Sequence, residues 1–470
     1  KEFRSMNALQ QRVDIDNASN SEVARFLKDQ VVDKGICVGC GACIALLGGK
    51  MTVSNDGVFP VFSHIDSSKD YARVAYLACP GIGIHYPSLY RSHYGKLPDS
   101  WLLGEVVKTR VGYSSNEAVR ENGASGGVIS QTLSYLLKNN YIDIAIVVKQ
   151  GALKADEANV VFAESSDDVF DSAQSVYTPV STLDILSMLQ SNLKYAITCL
   201  PEQAAAIRVL QNQEYKPAKQ IKYILGPYTG TALEPEAIRC LLRSNKIKDD
   251  DEIISLKWRA GTWPGYLEIK TESGKVVRSK KVYYNFLIPF FITQTSLQSM
   301  DFSNEFSDLS VGDAWSPKYE KLGAGFSVIT TRSEKMESIV KEMIDDGCLS
   351  AEEIDKNKAS EMHGHMLDFK KRGGFIRNKW RRYLGFRSPD YGIIINDMPI
   401  SRYIVEIVIS GVFVVCRNSI SRKILEFIPE SIIGPFFNKS RLLWKNLSKP
   451  TKRKGLSGLN ISEVDNGRMF

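Results

Sequence analysis

The chain has 470 residues, of which 43% are apolar and 24% are charged, and this composition excludes a fibrous or largely disordered protein. Its length allows two or three domains. The net charge of +7 is uneven, because residues 361–470 carry about +11 and the rest of the chain is therefore near −4. This asymmetry predicts that the C-terminal region meets an acidic surface.

Cysteine usage indicates a metal site. Eight cysteines in this length, three of them within seven residues, do not suit a disulfide scaffold. We therefore expect a reducing, cytoplasmic environment. The sequence shows no signal-peptide pattern and no run of 18 apolar residues.

The N-terminal part, residues 7–105, is predicted to be a segment built around three of these cysteines. Residues 1–6 resemble an expression scar and are excluded from the fold prediction. A short helix is expected over 20–34. A hairpin is expected over 51–62, with Asn55-Asp56-Gly57 as its turn, and it can bring the chain back toward the cysteines.

Strands and helices alternate between residues 106 and 347, which predicts a mixed α/β core that carries the catalytic site. Helices are identified by a 3.6-residue periodicity and strands by short apolar runs. The expected strands span 106–113, 142–148, 195–200, 221–225, two within 253–282, 309–315 and 326–331. The expected helices span 125–139, 203–211, 235–243 and 334–344.

The region after residue 347 is expected to lie outside this core. Residues 348–375 are polar and are interpreted as a linker, and residues 376–470 as a basic, amphipathic helical extension whose last twenty or so residues are disordered. Large apolar residues such as Phe436, Phe437 and Trp444 alternate with lysines and arginines, which is typical of a segment on an anionic membrane surface. The alternative is a packed extension with a solvated basic face. No nucleic-acid-reading motif is present, so no nucleic-acid partner is expected.

The metal-site candidate is the loop that contains Cys37, Cys40 and Cys43. The C-x2-C-x2-C spacing is that of an iron–sulfur loop, but a leucine stands where a bacterial ferredoxin run has its fourth cysteine. Of the other five cysteines only Cys79 is followed by proline, so Cys79 is the predicted fourth ligand. The alternative is structural zinc, which usually takes two C-x2-C pairs or a cysteine–histidine mixture.

A glycine-rich turn, Asn122-Gly123-Ala124-Ser125-Gly126-Gly127, leads from a predicted strand into a predicted helix. The first N–H groups of such a helix can bind a phosphate, Ser125 can cap the helix, and Arg120 can add positive charge. The alternative is a turn that serves only packing.

Seven short motifs follow one another along the chain. They are the cysteine loop with Cys79-Pro80-Gly81, the glycine turn, Tyr141-Ile142-Asp143, Ser175-Val176-Tyr177, Leu200-Pro201 with Gln203, Arg259-Ala260-Gly261-Thr262-Trp263-Pro264-Gly265 and Asp308-Leu309-Ser310-Val311-Gly312-Asp313-Ala314-Trp315. Together they resemble the coenzyme F420 hydrogenase/dehydrogenase beta-subunit family, whose relatives include 7-hydroxymethyl chlorophyll a reductase. The resemblance extends from about residue 34 to residue 347. It implies FAD, with its pyrophosphate at the glycine turn, and one or more 4Fe–4S clusters.

The chain departs from this family at the cysteines that hold a second cluster in many relatives. The resemblance places them at residue 202, within 226–230, and at residues 296 and 299. Here the sequence has Glu202, no cysteine, Ser296 and Ser299 at those places. Because all four are absent together, we expect one cluster rather than two, and the vacated space becomes a candidate substrate pocket.

Four further residues are candidates for the site. Glu202 is a candidate general acid, or a carboxylate that caps the following helix. Asp313 is a candidate catalytic residue that binds substrate or flavin, or only a turn residue. Lys149 is a candidate flavin contact, or a solvated strand end. The resemblance places Tyr177 among the cofactor-binding residues.

The resulting expectation is a flavin- and iron–sulfur-dependent oxidoreductase that reduces an organic substrate. FAD handles electron pairs and the cluster passes single electrons. The expected electron donor is ferredoxin or reduced F420, and the expected substrate is a small or lipid-linked molecule. The protein is expected in the cytoplasm, at the inner face of the membrane if its tail binds lipid. The alternatives are a flavin-dependent isomerase without net redox change and a non-catalytic electron-transfer or tethering subunit.

Overall fold

The computed structural model describes residues 17–68 and 70–465, so the interpretation of residues 1–6 as an expression scar lies outside the described residues. The described strands are β1 (Lys50–Ser54), β2 (Gly57–Val61), β3 (Lys108–Ser114), β4 (Ile144–Gln150), β5 (Ala158–Ala163), β6 (Tyr195–Thr198), β7 (Ile221–Pro227), β8 (Ile253–Ala260), β9 (Tyr266–Thr271), β10 (Val276–Lys280), β11 (Leu309–Asp313), β12 (Ser327–Thr331), β13 (Leu349–Glu353), β14 (Ile393–Ile395) and β15 (Ile461–Glu463).

Helices account for most of the remaining regular structure. They are α1 (Asn20–Leu27), α2 (Ala42–Leu47), α3 (Ala72–Leu77), α4 (Tyr86–Tyr94), α5 (Glu117–Asn122), α6 (Val128–Lys138), α7 (Ser166–Asp171), α8 (Pro201–Asn212), α9 (Lys216–Lys219), α10 (Glu236–Ser244), α11 (Lys281–Tyr284), α12 (Leu287–Phe291), α13 (Gln294–Gln298), α14 (Pro317–Glu320), α15 (Glu334–Asp345), α16 (Lys356–Asp368), α17 (Gly374–Tyr383), α18 (Ile400–Cys416), α19 (Ser419–Leu425) and α20 (Glu430–Arg453). Short π-helical turns at Lys28–Val32 and Phe369–Gly373 and a 3-10 turn at Asp184–Met188 complete the set.

An eight-stranded sheet forms the centre of the protein, in the order β13-β3-β12-β11-β7-β6-β4-β5. The four strands β11, β7, β6 and β4 run parallel, and antiparallel strands flank them on both sides. Because the carboxyl ends of parallel strands meet at one edge, this edge is where an α/β sheet binds its ligands.

Both faces of the sheet are covered. Successive residues of β4 point to opposite faces, as in any strand. Ile146 packs into a core with α1 to α4 and α8, whereas Ala145 and Val147 pack against α6 and α15. The predicted mixed α/β fold class is therefore confirmed. The helix at the N-terminus and the hairpin turning at residues 55–56 also form as predicted.

Residues 348–375 do not form the expected linker. β13 joins the main sheet as its edge strand beside β3, and α16 leads into a buried turn. Lys370 and Lys371 are buried there, and Lys371 pairs with the buried carboxylate of Glu305. Polarity suggested a linker because the sequence does not show which distant carboxylates and carbonyls would satisfy these cations.

The end of the described chain is also ordered, contrary to expectation. β15 pairs antiparallel with β14, and Arg91 of α4 holds Glu463 through two hydrogen bonds of 2.8 and 2.5 Å. These contacts tie the C-terminal region to the N-terminal segment.

Among the described helices, none is by itself long and apolar enough to cross a membrane. The consecutive helices α18 and α19 meet that requirement only together, and they are bent by 72° where they join.

Candidate functional site

The four predicted cluster ligands share one small cavity. Cys37, Cys40 and Cys43 reach it from the loop before and within α2, and Cys79 follows α3. The rest of the wall is almost entirely apolar. All eight cysteines of the chain lie in its described part, and none of them forms a disulfide bond. The structure therefore brings the three cysteines that were predicted from their spacing together with Cys79, which was predicted from the proline that follows it. Cys79 lies 36 residues beyond Cys43.

Burial controls the chemistry of these thiols. It raises the pKa of Cys37 to about 12. It also raises the pKa values of Cys40 and Cys43, and the charge on neighbouring sulfurs raises these two values further. A bound cationic group reverses this effect, because metal coordination deprotonates a thiol outright. The backbone N–H of Gly39 donates to Sγ of Cys37 at 3.4 Å, a contact of the type that tunes iron–sulfur potentials.

Within residues 17–68 and 70–465, no group of three or more histidine, cysteine, aspartate or glutamate side chains has the arrangement that holds a single ion.

A second, much larger cavity of about 480 Å³ opens at the carboxyl edge of the parallel strands. This size is typical of a cofactor or substrate site. The last residues of three parallel strands line it, namely Thr198 of β6, Pro227 of β7 and Asp313 of β11, together with Val147 from the middle of β4. The fold therefore places the cavity where open α/β sheets bind ligands.

The glycine turn forms part of this wall. Gly123, Ser125 and Gly127 line the cavity, and α6 begins directly after them. Ser125 does not cap the helix as predicted. Its hydroxyl donates to the carbonyl of Phe326 at 2.6 Å, and α6 has no side-chain cap among the described residues. The helix begins only at Val128, because Gly127 before it has a φ of +70°. The uncapped N–H groups of its first turn are thus available to a ligand.

Four other predicted cofactor contacts lie outside the cavity wall. Arg120 donates to the carbonyl of Gly325 and stacks on Tyr113, with its guanidinium carbon 3.5 Å from the ring centre. The N–H of Gly126 donates to Ser327 Oγ at 2.9 Å. Asn122 ends α5, and the ammonium of Lys149 lies 3.8 Å from the exposed carboxylate of Asp171. Arg120, Asn122 and Gly126 thus shape or border the turn, whereas Lys149 lies in β4.

Tyr177 does line the cavity, and two cations surround its hydroxyl. Lys281 donates to the phenol oxygen at 2.6 Å and Arg259 at 3.2 Å. Burial by itself would raise the pKa of Tyr177, but these two positive charges outweigh it and lower the pKa to about 8. The hydroxyl of Tyr284 lies in the same group and donates to the carbonyl of Trp258 at 3.3 Å.

Arg259 connects this tyrosine to Asp313, with which it forms an ion pair of 3.5 Å. Its Nη2 is buried and has no hydrogen-bond partner within the described part of the chain. A buried guanidinium nitrogen without a partner is costly, so a bound ligand oxygen is the natural acceptor. Sequence reasoning quoted Arg259 only within a motif and missed Lys281, for which no motif or spacing gave a signal.

The space expected around Glu202, Ser296 and Ser299 is filled rather than open. All three side chains are buried and none lines the large cavity. The ammonium of Lys370 donates to the Ser296 carbonyl at 3.1 Å. Burial lowers the pKa of Lys370 to about 8, and the charge of Glu202 opposes this shift. The C-terminal region thus occupies the place where the resemblance puts a second cluster.

One short segment, residues 180–184, lines the large cavity and packs against the cysteine loop. Val180 and Thr182 line the large cavity, while Ser181 and Asp184 lie against Gly41 of the cysteine loop. The two sites are therefore neighbours, separated by the chain at residues 180–184.

Comparison with known proteins identifies the family. Two matches carry the description "Coenzyme F420 hydrogenase/dehydrogenase, beta subunit", one for the N-terminal and one for the C-terminal part of that protein. The N-terminal match spans residues 109–187 and the C-terminal match spans residues 192–357. Together these matches cover just over half of the chain.

Two individual proteins are also similar. Coenzyme F420-dependent sulfite reductase of Methanocaldococcus jannaschii is 25% identical over 381 residues, which are 77% of this chain but 54% of that protein, so the chain spans about half its length. A chain of the F420-reducing NiFe hydrogenase complex from Methanosarcina barkeri is 16% identical, with a TM-score of 0.48, over 62% of this chain and 98% of its own. On the two family matches, the protein belongs to the coenzyme F420 hydrogenase/dehydrogenase beta-subunit family.

Proposed function

We propose that this protein is an F420-related oxidoreductase that binds FAD and its substrate in the large cavity and one 4Fe–4S cluster at Cys37, Cys40, Cys43 and Cys79. The observation that carries this proposal is the position of the two sites. Four cysteine thiols that share one small cavity lie one chain segment away from a larger cavity with an uncapped helix N-terminus and an unsatisfied arginine.

The residues present fit both groups. The first turn of α6 suits a pyrophosphate, and the cavity is large enough for a cofactor with substrate beside it. The four thiols suit a cluster because, among the described residues, no charged side chain lines that cavity. When bound, FAD would exchange electron pairs with substrate and single electrons with the cluster.

The protein itself would supply orientation and a proton. Arg259 Nη2 would bind an anionic oxygen of the substrate or cofactor, and Asp313 would hold that guanidinium in place. Tyr177 would give its hydroxyl proton to the bound molecule, and Lys281 and Arg259 would stabilise the phenolate that remains. Its position in the cavity makes Tyr177 a better candidate for proton transfer than Glu202, which does not line the cavity.

The candidate electron donor and the candidate substrate are suggested by the family and by the sulfite reductase relative. Both carry coenzyme F420 in their names, so reduced F420 is the first candidate donor and ferredoxin the second. The sulfite reductase relative suggests a small anionic substrate, which suits Arg259 and Lys281. A lipid-linked molecule is the other candidate, because the exposed lysines on the C-terminal helices would attract the anionic cytoplasmic face of a membrane.

The test is anaerobic purification followed by cofactor analysis and reduction. We expect FAD near one per chain, about four irons per chain, and bleaching of both chromophores on addition of reduced F420 or reduced ferredoxin. Protein without flavin that accepts no electrons would instead indicate a tethering subunit. Turnover of a substrate without net consumption of electrons would indicate the redox-neutral isomerase.

A further inference from the structure

Helix α18 has its charged side inside and its apolar side outside. Its only two charged residues, Arg402 and Glu406, are fully buried. They pair with each other at 2.9 Å, and Glu406 also pairs with the buried Arg377 at 2.7 Å. The outward positions recur at helical spacing and carry large aliphatic side chains. These exposed residues are Ile400, Ile404, Ile407, Val408, Val412, Val414 and Val415.

The next two helices continue this exposed apolar surface. Helix α18 packs against both α19 and α20. Phe427, which follows α19, is 84% exposed, and Phe436 of α20 is 68% exposed. The other large apolar side chains exposed on these two helices are Ile420, Ile424, Ile432, Leu442, Leu443 and Leu447. Monomeric proteins in water rarely expose so many large apolar side chains on helices that pack together, so this surface marks an interaction site.

Charge around this surface has one sign. The three acidic residues between 400 and 455 all face the protein. Glu406 is buried, Glu426 pairs with Arg243 at 2.8 Å, and Glu430 accepts a hydrogen bond from Ser279 at 2.6 Å. Exposed lysines lie among the apolar positions at 423, 439, 445, 449 and 454. An apolar face with only positive exposed charge complements an anionic lipid surface.

We propose that α18, α19 and the outer face of α20 insert into the headgroup–acyl boundary of an anionic phospholipid bilayer. Burial of the apolar residues supplies the main free energy, and the lysines add preference for anionic lipid. The 72° bend between α18 and α19, neither of which is long enough to span, suits helices that lie in one leaflet. This anchoring deepens the membrane part of the proposed function but does not depend on the redox chemistry.

Anchoring of this kind differs from simple electrostatic binding in its response to salt. Attraction between exposed charges is screened by salt, whereas apolar insertion is not. The anchor also lies close to the cavity, because α20 packs against α11, which carries Lys281. A lipid-linked substrate would then reach the cavity without leaving the membrane surface.

The experiment is flotation of the full chain with vesicles of phosphatidylcholine alone and of phosphatidylcholine mixed with phosphatidylglycerol, at low and high salt. The test variant carries Ile407→Ser, Val414→Ser and Phe427→Ser, at positions that are 59, 75 and 84% exposed. The matched control carries Leu153→Ser, Met188→Ser and Leu322→Ser, which are 80, 66 and 59% exposed elsewhere on the protein.

We expect the unmodified chain to float with both kinds of vesicle, more strongly with the anionic kind, and to remain bound in high salt. The test variant should bind at least about tenfold more weakly while the control binds like the unmodified chain. All three proteins should keep the same iron content and unfolding temperature. Failure of the unmodified chain to float, or equal flotation of the test variant, would overturn the proposal. Loss of self-association in the test variant without any vesicle binding would assign the surface to a second copy of the chain instead.

Discussion

The backbone N–H of Leu183 donates a hydrogen bond to the carbonyl oxygen of Cys40 at 2.8 Å. Cys40 is a proposed cluster ligand, and the neighbour of Leu183, Thr182, lines the large cavity. The two candidate sites are therefore joined by one backbone contact, which fixes their relative position. A substitution that moves one site should therefore have a measurable effect at the other.

The first prediction concerns Gly41, which permits this contact. Gly41 has a φ of +86°, and an added Cβ would lie 2.7 Å from the N–H nitrogen of Asp184 and clash with Ser181 Oγ. We expect Gly41→Ala to separate the cysteine loop from residues 180–184, and so to lower iron content and the unfolding temperature. Gly35→Ala is the control, since Gly35 has a φ of +66° but no atom within 4 Å of an added Cβ. Both variants bear the left-handed backbone cost of about 1–2 kcal/mol. An equal loss of iron and an equal drop in unfolding temperature in the two variants would refute a role for the contact between the cysteine loop and residues 180–184.

The second prediction concerns the fourth cluster ligand. We expect Cys79→Ser to lose most of its iron and visible absorbance during anaerobic purification, because serine replaces one of four thiolate ligands. Cys240→Ser is the matched control, since Cys240 is buried in α10, away from both cavities. Cys199 is a poorer control because it lines the large cavity. Zinc in place of iron in the unmodified protein would contradict the cluster assignment.

The third prediction concerns the ionisation of Tyr177. Its pKa is lowered from 10 to about 8, so one tyrosine should ionise near pH 8, as measured by tyrosinate absorbance of the cofactor-free protein. Tyr177→Phe should remove this step. Lys281→Met should shift it upward, because burial then outweighs the remaining positive charge. Since the folded pKa lies below the unfolded value, the unmodified protein should gain stability over Tyr177→Phe as pH rises from about 8 to 10. A first tyrosine ionising only near pH 10 would contradict this environment.

The fourth prediction concerns the buried ion pair of Glu406 and Arg377. Glu406→Gln should lower the free energy of unfolding in denaturant by about 3–5 kcal/mol, because it leaves the buried Arg377 without its carboxylate partner and Arg402 with Asp368 alone. Glu353→Gln is the control. It breaks an exposed pair with Lys108 of 2.8 Å, and such surface pairs contribute only about 0–1 kcal/mol. A similar loss of unfolding free energy in the two variants would contradict the buried ion pair between Glu406 and Arg377.

The fifth prediction concerns truncation. A chain that ends at Phe375 stops within α17 and loses Arg377, Arg402 and Glu406 together. It also loses β14 and β15. We therefore expect this truncation to lose the cluster, the flavin and cooperative unfolding along with any lipid binding. Retention of iron and FAD by the truncated chain would show that the C-terminal region is a separable unit.

The sequence by itself determined the local features of this protein. The spacing of Cys37, Cys40 and Cys43, and the proline after Cys79, were sufficient to select four residues that share a cavity. Periodicity placed most of the core strands and helices within a few residues of their actual bounds, but it gave two strands instead of three within 253–282 and missed β5. These features depend on short stretches of chain, where neighbouring residues define the geometry.

Only the tertiary structure decided where polar residues meet. Lys281 donates a hydrogen bond to Tyr177 although about a hundred residues of chain separate them. Lys370 fills the space beside Ser296 that the sequence suggested was open. Glu406 lies inside the protein, while the apolar residues of α18 face outward. The reason is physical. A buried charge is tolerated only when distant groups complete its hydrogen bonds and charge balance, and a linear sequence does not show which distant groups those are.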